Sequence, residues 1–86
     1  MITPAQCRAA RALIQWTQSD LARESMVSVS VIRVFETHGS NPRRLTLDAL
    51  KRTLEAAGVQ FIPANGGGPG VRLKAGGVVE NGLGKL

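Results

Sequence analysis

Cysteine occurs once in this chain, which excludes an internal disulfide. Cys7 and His38 alone make no ligand set, so a cysteine-rich zinc site is excluded too. So sparse a use of thiols fits a reducing compartment. No apolar run approaches the ~20 residues of a membrane-spanning helix. The first residues also lack the basic-then-apolar order of an export signal, so a cytoplasmic location and no membrane partner are expected. Acidic residues are few: six face eleven lysines and arginines, a formal net charge of +5. On a chain of 86 residues, enough for one small domain, that excess favours a polyanionic partner through phosphate neutralisation and counterion release. Nucleophile elbows and phosphate-binding glycine motifs are missing as well. The glycine-rich run 65–70 is followed by no Lys-Ser or Lys-Thr pair and reads as loop. Neither an enzyme nor a cofactor or metal site is expected.

What the chain does contain is a succession of short helical patterns with start and stop signals. A first helix is expected from Pro4, with Thr3 and Gln6 as a capping box and Cys7, Ala10, Leu13 and Ile14 as its buried stripe. A second starts at Thr17, repeats the capping box with Asp20, and turns Leu21 and Ala22 inward. A third is capped by Ser28 and runs to Thr37 or His38, where Gly39 stops it, with Ile32 and Phe35 facing the core and Val31 at its edge. Pro42 blocks helical continuation, and a fourth helix is expected from Leu47 to Ala57, capped by Thr46 and ended by Gly58. The period then changes. Segments 59–62 and 71–74 favour strands and flank a Gly/Pro-rich connector. A lone two-stranded hairpin is marginal in water, so these strands are expected to pair with a second chain or to pack on the fourth helix. The organisation is therefore 1–58 as a helical domain, 59–74 as a dimerisation segment, and 75–86, glycine-rich and without periodicity, as a mobile tail.

Residues Thr17 to Glu36, TQSDLARESMVSVSVIRVFE, are two short helices joined by a tight turn, the second opening on a serine cap. This stretch resembles the helix-turn-helix of the Xre/Cro/cI family of phage and bacterial repressors, through Gln18, Leu21, Ala22, Val27, Ser28, Ile32 and Glu36 in register. The likeness covers roughly residues 4 to 59. It departs from the pattern at Met26, where relatives usually have glycine because the turn often needs positive φ. A methionine there either carries strain of about 1–3 kcal/mol or marks a different turn.

The resemblance implies a mainly α fold, a four- to five-helix lambda-repressor-like domain followed by short C-terminal β-strands. It also implies a bacterial regulator, a repressor or autoregulator binding operator DNA as a homodimer, of the kind that controls phage, plasmid or other mobile-element genes. Base reading falls to Val29, Ser30, Arg33 and Val34 on the outward face of the third helix. Arg33 can donate a bidentate pair to guanine, Ser30 can bond base edges or phosphate, and the valine methyls can pack on thymine methyls. Gln18, Ser28, Asn41, Arg43 and Arg44 are the expected phosphate contacts, Gln18 at a helix N-terminus with its partial positive charge. Arg11 and Glu36 are expected to pair and fix how the third helix lies. Val59, Phe61, Ile62, Val71 and Leu73 are the expected dimer interface. Two valines on an outward face, where lysine or glutamate is ordinary, leave an alternative: a protein-binding antitoxin or antiactivator on the same fold, with a regulatory protein as partner.

Overall fold

The computed structural model describes residues 1–74. The tail expected over 75–86 lies outside the described residues. Four helices come first, α1 (Pro4–Leu13), α2 (Gln18–Ser25), α3 (Val29–His38) and α4 (Arg44–Ala56). An antiparallel hairpin of β1 (Val59–Ile62) and β2 (Gly70–Leu73) follows. The chain is thus mainly helical with a short two-stranded sheet.

Local side-chain chemistry accounts for the first three helix starts. Thr3 and Gln6 exchange backbone-to-side-chain hydrogen bonds of 3.0 Å each at the head of α1, with Pro4 in the first turn. Thr17 and Asp20 do the same for α2, at 2.9 and 3.0 Å. Ser28 Oγ accepts the Val31 N–H at 3.1 Å to open α3, and Gly39, at φ 64°, closes it. The fourth start differs from expectation. α4 begins at Arg44, three residues before Leu47, so Thr46 lies inside the helix and Arg43 holds the N-cap position without a side-chain hydrogen bond. Arg44 and Leu45 are good helix formers, and a threonine cap preference of about 1 kcal/mol is too weak to hold the boundary against them.

The core gathers one apolar stripe from each helix: Cys7, Ala10 and Ile14, then Leu21, then Ile32 and Phe35, then Leu47, Leu50 and Leu54. Leu13, expected in the α1 stripe, is exposed, because α1 ends there and the chain turns away through Gln15 at φ 58°. Buried Gln6 does work that the apolar pattern does not reveal. Its Nε2 donates to the carbonyl oxygens of Gly70 (2.9 Å) and Ile62 (3.4 Å), pinning the hairpin to α1.

The strands pair with each other inside one chain, in the register Val59↔Leu73 and Phe61↔Val71. The hairpin packs on α1 and α4. Val59 is fully buried in this core, and Phe61 and Val71 pack against it. Packing on α4 is one of the two placements expected for these strands: residues 59–74 share the core of the helices, and Val59 is wholly buried there. The physical reason is the one that makes a free hairpin marginal: its apolar face needs cover, and α1 with α4 supplies it. Among the described residues, no helix is long and apolar enough to cross a membrane.

Candidate nucleic-acid interface

The turn between α2 and α3 sets the attitude of α3. Met26 ends α2 in the left-handed conformation, φ 63° and ψ 22°, with its N–H bonded to Ala22 O at 2.9 Å. Ser25 Oγ accepts the Val27 N–H at 3.2 Å and steadies the next residue. Of the two readings that Met26 left open, the positive-φ turn is the one adopted. A non-glycine residue there carries roughly 1–2 kcal/mol of strain, and the side chain itself is 89 % exposed. The turn therefore holds its shape without packing around Met26.

Behind α3 lies a polar cluster centred on Glu36, which is only 2 % exposed. Arg11 from α1 grips both carboxylate oxygens, Nη2 to Oε1 at 2.7 Å and Nε to Oε2 at 2.8 Å. Its remaining Nη1 donates to the Trp16 carbonyl at 3.0 Å, so one guanidinium ties α1, the α1–α2 junction and α3 together. Gln18 Nε2 donates to Oε1 at 3.0 Å and Cys7 Sγ to Oε2 at 3.1 Å. Arg8 donates to the Glu36 backbone carbonyl, one of the free acceptors at the end of α3. Among the described residues no buried side-chain nitrogen or oxygen lacks a partner. Burial by itself raises the Glu36 pKa, but the hydrogen bonds from Arg11, Gln18 and Cys7 outweigh it and hold the carboxyl below its usual range. Burial, and then the bond to Glu36, push the Cys7 thiol well above its ordinary range, so it stays protonated. The sequence pattern identified Cys7 as a small buried residue; its role as a donor to Glu36 was not legible there.

The opposite face of α3 is open. Ser30 and Arg33 are exposed, Val34 is 42 % exposed, and Val29 is half-buried. Thr37, not singled out from sequence, is exposed and lies one turn beyond Arg33 and Val34 on the same strip. Val31 is 38 % exposed rather than tucked at the core edge. It joins Ser30, Val34, Ser40, Asn41 and Pro42 in lining a groove of about 380 Å³ between α3 and the α3–α4 loop. Arg43 and Arg44 are exposed directly after this loop. Among the described residues, Arg33, Arg43 and Arg44 enter no ion pair.

Two expected phosphate contacts are already engaged within the chain. Ser28 uses its hydroxyl oxygen to cap α3, leaving only the hydroxyl proton to offer. Gln18 has one amide hydrogen on Glu36 and one free. The Asp20 carboxylate already accepts the Thr17 N–H at the same helix end, which lowers the appeal of that end to an anion. Bond formation at the Thr17 backbone and to Arg23 keeps the Asp20 pKa low, so the charge persists. Of the cationic positions expected to meet DNA, Arg33 on α3 and Arg43 and Arg44 at the start of α4 are open. No set of three metal-ligating side chains lies together among the described residues. No protein-family model matches this chain, and no curated protein is significantly similar to it.

Proposed function

We propose that this chain is a sequence-specific DNA-binding regulator of the Xre/Cro/cI type, with α2, the Met26 turn and α3 acting as its helix-turn-helix. In this reading α3 enters the major groove of operator DNA, Arg33 and Ser30 read base edges, and Asn41, Arg43 and Arg44 grip flanking phosphates. The observation that carries the proposal is the division of α3 itself. One side is clamped by five donor atoms of Cys7, Arg8, Arg11 and Gln18, from α1 and α2, while the other leaves Arg33 without an ion pair and exposed. Catalysis is not part of the role; a rigidly presented helix is.

A single such helix makes few base contacts, so the operator is read by two copies, their α3 helices about 34–36 Å apart. With Val59 interior, the hairpin brings to that dimer its exposed Leu73, the half-buried Ile62 and its free strand edges. The protein acts in the bacterial cytoplasm as a repressor or autoregulator. Selection from a random duplex pool tests this: one motif should be enriched, with affinity falling steeply as salt rises. Failure to enrich any motif, with salt-insensitive behaviour, overturns the proposal.

A second reading has its own support. Met26 and Leu45 are 89 % and 79 % exposed, more apolar surface than a DNA contact through α3 requires. An antitoxin or antiactivator would cover them with a protein. Affinity purification that returns one stoichiometric partner, together with absent DNA selectivity, decides for it.

A further inference from the structure

A second groove, of about 430 Å³, lies between the N-terminal residues, α4 and the loop end of the hairpin, and no α3 residue lines it. Its size is that of a small-molecule site. The walls are apolar, with Ile2, Phe61, Pro63 and Pro69 among them, and the polar side chains in the lining are Thr3, Gln6 and Lys51. Gln6 is already engaged: its Oε1 accepts the Thr3 N–H, and its Nε2 donates to the Ile62 and Gly70 carbonyls. Thr3 Oγ accepts the Gln6 N–H and keeps its hydroxyl proton to offer. Lys51 is half-buried, with Asp48 and Glu55 on α4 at the spacings where helix ion pairs form. Among the described residues it pairs with neither, and it lines the groove instead. No aspartate or glutamate among the described residues lines the groove with it.

We propose that this groove binds a small apolar carboxylate, its body against Phe61 and the two prolines and its carboxylate on Lys51 and the Thr3 hydroxyl. The anion supplies the charge that Lys51 lacks, through a charge-assisted hydrogen bond. The apolar body covers walls that a bare phosphate or a metal ion would leave in water. An apolar protein surface pressed on the groove would instead desolvate the Lys51 ammonium without pairing it. Gln6 and Phe61 belong to the joint between α1, the hairpin and the core, so the bound acid braces the hairpin against the helices. The site needs no DNA-reading role for α3.

Titration of the full chain with phenylacetate, followed by proton–nitrogen NMR, tests the site. Amide shifts should saturate and cluster at Ile2, Lys51 and Phe61, leaving α3 unmoved. Phenylacetamide keeps the ring and lacks the charge, and should bind about tenfold more weakly, as befits the loss of a charge-assisted hydrogen bond. Acetate keeps the charge and lacks the ring, and should give no saturable shift. Lys51→Gln should bring phenylacetate down to the level of the amide without changing affinity for the amide. Lys51→Arg should keep most of the difference, and the ligand-free spectrum of each variant checks that it folds. Equal affinity for phenylacetate and phenylacetamide, or a preference for the acid that survives Lys51→Gln, overturns the pairing with Lys51. Saturable binding of acetate overturns the role of the apolar walls. Shifts centred on α3, or no saturable shift with any probe, overturn the groove as a site. Each of these failures leaves operator selection by α3 untouched, and failure of operator selection leaves the groove standing.

Discussion

Each side of α3 departs at one point from the usual partition of a surface helix. Toward the protein interior, beside Ile32 and Phe35, it carries a carboxylate, Glu36, held by Arg11, a glutamine and a thiol; toward solvent it carries two valines, Val31 and Val34, among Ser30, Arg33 and Thr37. The buried side is costly to build, because a desolvated charge is tolerated only with nearly every bonding site satisfied. What it provides is direction: donors from α1 and α2 meet at one residue of α3 and leave the helix little freedom to roll. The open side needs no such support to fold. Val31 and Val34 there add little to the core of the isolated chain. Position and chemistry are thus divided between opposite faces of one ten-residue helix.

Substitutions on the two faces should behave in opposite ways, and the largest effect is expected on the buried one. Glu36→Ala strands Arg11 and leaves Gln18 and Cys7 without an acceptor, a loss of ~3–5 kcal/mol in chemical denaturation. Arg11 retains some solvent contact, which favours the lower end. A loss below about 1 kcal/mol would mean the cluster is ornamental, and the comparison would fail at its first step.

The same residue fixes an acid limb. Its folded pKa lies below the unfolded one, so its contribution is complete above the ordinary glutamate value of about 4.3 and disappears as pH falls through the lower folded value. Stability should therefore drop below roughly pH 4, and Glu36→Gln should flatten that limb while leaving the slope near neutrality unchanged. An acid limb of equal steepness in both proteins contradicts the assignment.

Met26 sits where α2 hands over to α3, and a smaller gain is expected there. Glycine relieves about 1–2 kcal/mol of left-handed strain but adds about 0.5–1 kcal/mol of unfolded-state freedom. Met26→Gly should thus stabilise by at most ~1 kcal/mol in thermal or chemical unfolding. Destabilisation would show that the exposed methionine makes contacts worth more than its strain.

The smallest effect on stability belongs to the open face. Val34→Ala should change stability by no more than ~0.5 kcal/mol, as expected for a surface position outside the core. A loss above 1.5 kcal/mol would place Val34 in the fold and erase the contrast with Glu36.

Local signals and long-range ones were legible to different degrees. Thr3, Thr17, Ser28 and Gly39 announce their helix ends because a cap needs only a neighbour three or four residues away. The Arg11–Glu36 pair came from family resemblance, since nothing in the spacing of those two residues says that they meet. Gln6 looked like no more than half of a capping box, yet its amide reaches Ile62 and Gly70, 56 and 64 positions along. Which of the two expected placements Val59 takes was not legible, because an amphipathic strand announces a face that needs cover without saying whose surface covers it. The bond from Gln18 to Glu36 was not legible because it depends on how α2 crosses α3. At Arg44 the failure was one of magnitude: a cap signal at Thr46 was weaker than the helix-forming residues before it. The candidate site divides the same way. Exposure of Ser30, Arg33 and Val34 follows from helical period, whereas the groove with Pro42 needs the path of the loop.

The central claim, that the clamped helix presents Arg33 to DNA, is tested most directly by selecting duplexes from a random pool with the parent chain and with Arg33→Ala in parallel. The parent should enrich a two-fold-related motif with a guanine in each half-site. Arg33→Ala should remain folded and bind DNA, but lose preference at that guanine by ~1–3 kcal/mol, about ten- to a hundredfold. A parent that enriches no motif, or an Arg33→Ala chain that enriches the same motif as strongly, would contradict it.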